Sequence, residues 1–201
     1  MKSKSLLSVL MIIGMLVFSM GFIGGCNKIE NKSNSSLRLA VVLIQGLDLE
    51  GTLGNTVFSD VIKTSGTIVN DNATATLRAD TLDPFLEETT HYQNAIVDQI
   101  DISYSRTDGL SEPGRDIPYS YSQKVHSLIT PGETITLPFV VVPHNAKAES
   151  PLVELVNYPN QEHVLKMEAS ITFHSIDTGG YRLAPVTGSI SIWFANFADE
   201  E

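Results

Sequence analysis

Leu165-Lys166-Met167-Glu168-Ala169-Ser170-Ile171-Thr172-Phe173 decides the fold class. Each odd-numbered residue is apolar, and each even-numbered one is polar, charged or small. Successive side chains of an extended chain point to opposite faces, so this order gathers the apolar groups on one side. On a helix the same residues would scatter around the circumference. The stretch therefore predicts a strand with one wet face, in a sheet whose other face something must cover.

Working outward from it, the same period recurs. Ile135, Leu137, Phe139 and Val141 alternate with Thr134, Thr136 and their neighbours, and Ile100, Ile102 and Tyr104 alternate with Gln99, Asp101 and Ser103. Ala73, Ala75, Leu77 and Ala79 face away from Thr74, Thr76 and Arg78. Near the end, Ile190, Ile192 and Phe194 lie opposite Trp193 and Phe197, which predicts a strand partly covered on both faces. Weaker candidates are Leu39 to Gln45, Val57 to Thr64 and Lys124 to Ile129. The first is apolar on both sides, as for a doubly covered strand.

Turn chemistry punctuates these runs. Thr130-Pro131-Gly132-Glu133 has proline and glycine at the two central positions of a type II turn, the second of which needs a positive φ. Asp177-Thr178-Gly179-Gly180 and Asn70-Asp71-Asn72 read as further turns. Pro138 sits inside a strand pattern and predicts an edge strand or a bulge, because it has no N–H to give to a ladder. Helix is scarce. Ser150-Pro151 before Leu152, Val153, Leu155 and Val156 reads as an N-cap, a proline at the first helical position and about two turns. Asp83-Pro84-Phe85-Leu86-Glu87 reads as a shorter version. No internal repeat is present. The sum is an all-β fold: an antiparallel β-sandwich, immunoglobulin-like, of about seven to nine strands with one or two short helical turns in its loops.

The domain so defined spans 37–201. The chain ahead of it has another character. Lys2 and Lys4 open it, an apolar run from Leu6 to Phe18 follows, and Gly21-Phe22-Ile23-Gly24-Gly25 leads to Cys26, the one cysteine in the sequence. Charge, then apolar residues, then small ones is the order of a secretory signal. An uncleaved membrane anchor is the rival, since the run Leu6 to Ile23 is about long enough for a span, which needs roughly 17–25 apolar residues. Ser8, Gly14, Ser19 and Gly21 interrupt this run, and its small residues collect at the C-terminal end, as a cleaved signal requires.

Ile23-Gly24-Gly25-Cys26 resembles the lipobox of bacterial lipoproteins. The resemblance covers four residues and implies a processing route: cleavage after residue 25, diacylation of the Cys26 thiol and a chain that begins at the lipid. It also implies a location at the cell membrane or outer membrane, facing the periplasm or exterior. Asn27 in place of an aspartate leans towards the outer membrane under the sorting rule of such proteins. Acyl chains contribute about 0.8 kcal/mol per buried methylene, so several together anchor stably where one holds marginally. Asn27 to Ser36 is polar and poor in apolar residues, and reads with Cys26 as a flexible tether over 26–36.

Composition sets limits. The net charge of −10 becomes two units more negative if Lys2 and Lys4 leave with the signal. Such a surface argues against nucleic acid and against electrostatic docking on anionic lipid, both of which need a basic face. With Cys26 lipidated, the domain can hold no disulfide, no thiol nucleophile and no cysteine-bound metal.

Local motifs for chemistry are weak. His91, His126, His144, His163 and His174 show no helical i, i+4 pair and no His-Glu-x-x-His, so zinc would need ligands from distant loops. Asp98, Asp101, Asp108 and Asp116 gather around 98–116, a stretch that raises calcium. Its spacing is not that of an EF-hand, and Arg106 and Arg115 would oppose a cation or close the loop through Arg–Asp pairs. No Gly-x-Ser-x-Gly elbow and no phosphate-binding Gly-Lys-Ser/Thr loop occur. The most distinctive surface is this loop with Pro113, Pro118 and the tyrosines beside it. Asp108, Arg115, Asp116, Tyr119 and Tyr121 are its candidate contact residues, for a sugar or a partner chain, although the rings could equally pack the end of the sandwich.

The expectation is a lipid-anchored envelope protein without catalytic, metal or cofactor residues, whose sandwich binds a partner protein through a sheet edge or the Thr107 to Tyr121 loop. The alternatives are a carbohydrate- or solute-binding lipoprotein, and a hydrolase whose histidine and acid converge only in three dimensions. A row of exposed Tyr119, Tyr121 and Trp193 would mark the carbohydrate case.

Overall fold

The computed structural model describes residues 35–47, 51–83 and 93–197. The chain divides into two units, Met1–Asn31 and Lys32–Glu201, and all described residues belong to the second. The leader, Cys26 and all but the last two residues of the tether lie outside the described residues, as do Pro84 to Glu87 and His91.

Nine strands form among the described residues: β1 (Leu37–Leu47), β2 (Leu53–Gly54), β3 (Thr56–Asp60), β4 (Asp71–Thr81), β5 (Ala95–Arg106), β6 (Tyr121–Ile129), β7 (Thr134–Val142), β8 (Leu165–Asp177) and β9 (Val186–Ala195). They make two sheets, ordered β2-β1-β4-β7 and β3-β9-β8-β5-β6. The fold is all-β, and the five-stranded sheet curls into a half-barrel. One part of the antiparallel expectation is corrected: β3 runs parallel to β9, from Thr56 opposite Ser191 to Asp60 opposite Ala195. A parallel pair cannot close through a tight turn, and here it joins strands from opposite ends of the domain.

Alternation in the strands becomes the core. Met167, Ala169, Ile171 and Phe173 of β8 are buried, while Lys166 and Glu168 are exposed. Ala73, Ala75, Leu77 and Ala79 of β4 and Leu137, Phe139 and Val141 of β7 meet them in a single apolar cluster. The Phe139 and Phe173 rings touch edge to face across the two sheets, 6.1 Å apart. The alanines of β4 leave room for the larger side chains opposite, as close packing demands.

β1 departs from expectation in an instructive way. Its register shifts between Val41 and Leu43. Leu37 and Leu39 face inward before the shift, and Ile44 and Gly46 after it. The strand that looked doubly covered is therefore a bulged one, with Val42 and Leu43 left exposed. β5 does the same between Val97 and Gln99, which switches the inward set from Ala95 and Val97 to Ile100, Ile102 and Tyr104.

Pro138 lies on β7 at the edge of its sheet, opposite Thr74, as its missing N–H requires. The Thr130 turn forms with Gly132 at φ 86 and Glu133 N–H donating to Thr130 O at 2.9 Å. Asn70-Asp71-Asn72 is not a turn, because Asp71 begins β4. The helical segments also differ. A four-residue α1 (His144–Lys147) precedes a 3-10 helix, Leu152–Asn157, in which Pro151 holds the cap position. Ser150 donates to the Glu154 carboxylate at 2.7 Å, and no side chain accepts an N–H at the cap of this helix.

The sheets meet along two seams. On one, β1 lies against β3 and β9 at two glycines. A Cβ on Gly46 would stand 2.1 Å from Val57 Cγ2, and one on Gly188 would stand 2.6 Å from Ile44 Cδ1. On the other, side chains of β6 bond the backbone of β7. The Gln123 amide donates to Val140 O at 3.0 Å and accepts from Val140 N–H at 3.4 Å, and the Tyr121 hydroxyl also donates to Val140 O. Beneath this seam the buried Tyr104 hydroxyl donates to Val141 O at 2.8 Å.

Candidate functional site

The loop joining β5 to β6 is tied to itself by short-range polar bonds. Arg106 grips the Asp108 carboxylate with two nitrogens, and Asp108 also accepts the Leu110 N–H at 3.2 Å. Arg115 reaches both Asp116 oxygens, at 3.1 and 2.9 Å, and pairs with Glu112. Asp116 in turn accepts the Glu112 N–H at 3.1 Å. The Arg115 guanidinium is the main reason that the Asp116 carboxyl is held below the usual carboxylate range, and the Arg106 fork acts likewise on Asp108. Such two-point Arg–carboxylate bonds fix direction as well as distance. Ile117 drops into the core and anchors the loop's far end.

That framework presents Tyr119, the most exposed aromatic side chain of the loop. Its ring crosses directly over Gly114, where an added Cβ would lie 2.3 Å from the hydroxyl and φ is 78. Both the conformation and the close approach need glycine there. Tyr119, Pro118 and Tyr121 line one side of a cleft of about 190 Å³, with Pro143, Asn145 and Glu149 on the other.

The far wall is held from below. Asn145 sits on α1, and Lys147 of the same turn is fully buried. Its ammonium donates to Asp71 Oδ1 and to Asp60 O, each at 2.8 Å, which joins β4 of one sheet to β3 of the other. Burial pushes the Asp71 carboxyl upward, and the Lys147 charge opposes that rise. At the other end of α1, Asn70 Oδ1 accepts the His144 N–H at 2.6 Å. Lys147 does not stand out in the sequence, since a lysine in a polar stretch gives no local sign of burial, and Asp71 reads there only as part of a turn.

The five candidate contact residues do not all face outward. Tyr119 and Arg115 are exposed and Asp108 is largely so, whereas Asp116 is buried and Tyr121 is half-buried with its hydroxyl spent on Val140 O. Burial drives the Tyr121 and Tyr104 phenols well above their ordinary titration range. Trp193 does not line the cleft; it lies against Phe58 and under the Lys166 ammonium, 3.8 Å from the ring centre. The three rings thus form no single row.

The acids at 98–116 disperse. Asp98 sits at the β5 bulge, Asp101 pairs with His174 at 2.7 Å, and Asp108 and Asp116 are held by arginines. His126 is exposed on β6, and His163 meets the Tyr158 ring edge to face with ring centres 4.1 Å apart. Among the described residues no three His, Cys, Asp or Glu side chains gather to hold a metal ion. His174 has its acid, but the neighbouring Ser175 turns to the buried face of β8, away from the imidazole.

No known family model matches this chain, and no curated protein is detectably similar to it. Among the described residues no helix is long and apolar enough to cross a membrane.

Proposed function

We propose that this is a lipid-anchored protein of the bacterial envelope whose β domain is a non-enzymatic binding module, and that it holds a partner protein at the Tyr119 face. Cys26, behind Ile23-Gly24-Gly25, would carry the acyl chains, with the stretch up to Ser36 as tether. We read the domain as an immunoglobulin-like sandwich. The strand order supports this: β1 and β3 belong to different sheets although only β2 separates them in sequence, and β8 lies between β5 and β9 at the centre of the second sheet.

The observation that carries the binding role is the exposed Tyr119 ring on a loop already fixed by Arg–Asp pairs, beside a cleft with rigid proline walls. A pre-ordered aromatic contact loses little conformational entropy when a partner docks. The loop is favoured over the β7 edge, where Pro138 and the Gln123–Val140 bonds leave little for an added strand.

Two measurements test the two parts. The intact mass of the membrane-extracted protein should equal the chain from Cys26 plus a diacylglyceryl group, and an unmodified chain with Met1 retained refutes the anchor. Crosslinking in intact cells should recover one envelope protein with the wild type and lose it with Tyr119→Ser. Tyr119 is exposed, so that variant should keep its thermal stability; unchanged recovery refutes the face.

A further inference from the structure

Away from the Tyr119 face, a cleft of about 320 Å³ opens beside the β8 hairpin, lined by His174, Ser175, Arg182, Leu183 and Pro185. Arg182 follows the β8 hairpin, and its backbone bridges Ile176, which sets it on the same side of the sheet as His174. The volume suits a molecule the size of a monosaccharide.

Arg182 differs from the other arginines of the chain. Arg38 and Arg78 share Asp80, Arg106 holds Asp108, and Arg115 holds Glu112 and Asp116. Arg182 makes no ion pair among the described residues. In a chain with 23 acids against 13 lysines and arginines, no carboxylate lines this cleft. A guanidinium facing such a space offers a fork of donors to an oxyanion.

His174 adds a second requirement. Asp101 Oδ2 lies 2.7 Å from Nε2. Its other oxygen accepts from Gln99 at 2.6 Å, and Lys124 donates to that same Gln99 side chain. These bonds hold the carboxylate ionised and aimed at the imidazole; a hydrogen bond from Ser122 is the leading reason that its titration lies below the usual range. A carboxylate acceptor at Nε2 places the ring proton there in the neutral imidazole, leaving Nδ1 as an acceptor. An acceptor wants a ligand hydroxyl. Pro185 supplies an apolar wall for carbon.

We propose that this cleft binds a small hydroxylated monocarboxylate, such as a sugar acid, with its carboxylate on Arg182 and a hydroxyl donating to His174 Nδ1. Arg182 is the one guanidinium among the lining residues, and its single fork matches one carboxylate, which favours a monocarboxylate over a phosphate dianion. The site is independent of the Cys26 anchor and of the Tyr119 face.

The test is an NMR titration of the soluble chain from Asn27 onward and, in parallel, of the full lipidated protein in detergent, at constant ionic strength. Glucuronate should shift the Arg182 Nε–H and His174 ring signals saturably. Glucose, without the carboxylate, should leave them in place, and cyclohexanecarboxylate, without hydroxyls, should bind more weakly. Arg182→Gln should weaken glucuronate binding roughly 10–100-fold, the scale of a charge-assisted hydrogen bond. Arg182 is exposed, so this variant should fold as the wild type does. Absence of saturable shifts with glucuronate, equal binding by Arg182→Gln, equal binding of cyclohexanecarboxylate, or displacement of glucuronate by lower concentrations of inorganic phosphate overturns the assignment.

Discussion

The two lines along which the sheets meet use opposite means. At the β1–β9 seam two positions have no side chain at all, and the strands approach until Val57 and Ile44 occupy the space a Cβ would need. At the β6–β7 seam side chains span the gap, with Gln123 standing in for the partner strand that β7 lacks. Contact at the first seam depends on shape and is sensitive to a single methyl group. At the second it depends on polar groups that water can replace, so loss of one partner is cushioned. Lys147 belongs with the polar means, but its position is dry, and no water can stand in for it there.

This contrast orders the expected losses. The largest belongs to Lys147→Met. It removes the charge that compensates buried Asp71 and should cost about 3–5 kcal/mol at neutral pH by chemical denaturation. Burial already raises the Asp71 titration in the folded protein, and the variant lacks the Lys147 charge that opposes that rise. The folded variant therefore binds protons more readily than the unfolded chain, and its deficit should shrink as the pH is lowered through the raised folded value. A deficit that does not change with pH would mean that Asp71 stays compensated by other groups.

Next comes Gly46→Ala, at about 1–3 kcal/mol from overpacking. Val57→Ala in the same chain should recover part of that loss, because the clash is with Val57 Cγ2. Strict additivity of the two substitutions would break the picture of a steric seam. The smallest effect is expected for Gln123→Ala, about 1 kcal/mol or less, since Tyr121 still donates to Val140 O and water reaches the edge. If Gln123→Ala costs as much as Gly46→Ala, the two seams do not differ as described.

Much of the fold was legible because alternation is a local signal. The strands that read most clearly, β4, β7, β8 and β9, bury the faces their periodicity assigns to them. The bulges of β1 and β5 were legible in principle. In each, the apolar set changes parity within the strand, from Leu39 to Ile44 and from Val97 to Ile100, which is how one extra residue appears in sequence. The parallel β3–β9 pair was not legible, because nothing local to Thr56–Asp60 names a partner over a hundred residues away.

The candidate sites divide in the same way. The Arg–Asp closure of the β5–β6 loop follows from neighbours in sequence, and so was readable. The bond from His174 to Asp101 joins two strands, and the burial of Lys147 depends on β3 and β4 together. Arg182 stands out only by comparison with four arginines committed elsewhere by the folded chain.

Pro138 and the Gln123–Val140 bonds have a consequence for molecules held close together. A bare outer strand invites a neighbour to zip onto it, and crowding makes such templating harder to avoid. On β7 one residue has no hydrogen to offer, and its near neighbour already has both backbone groups engaged by the protein's own amide. Copies packed side by side can thus collide along that rim without nucleating a shared ribbon.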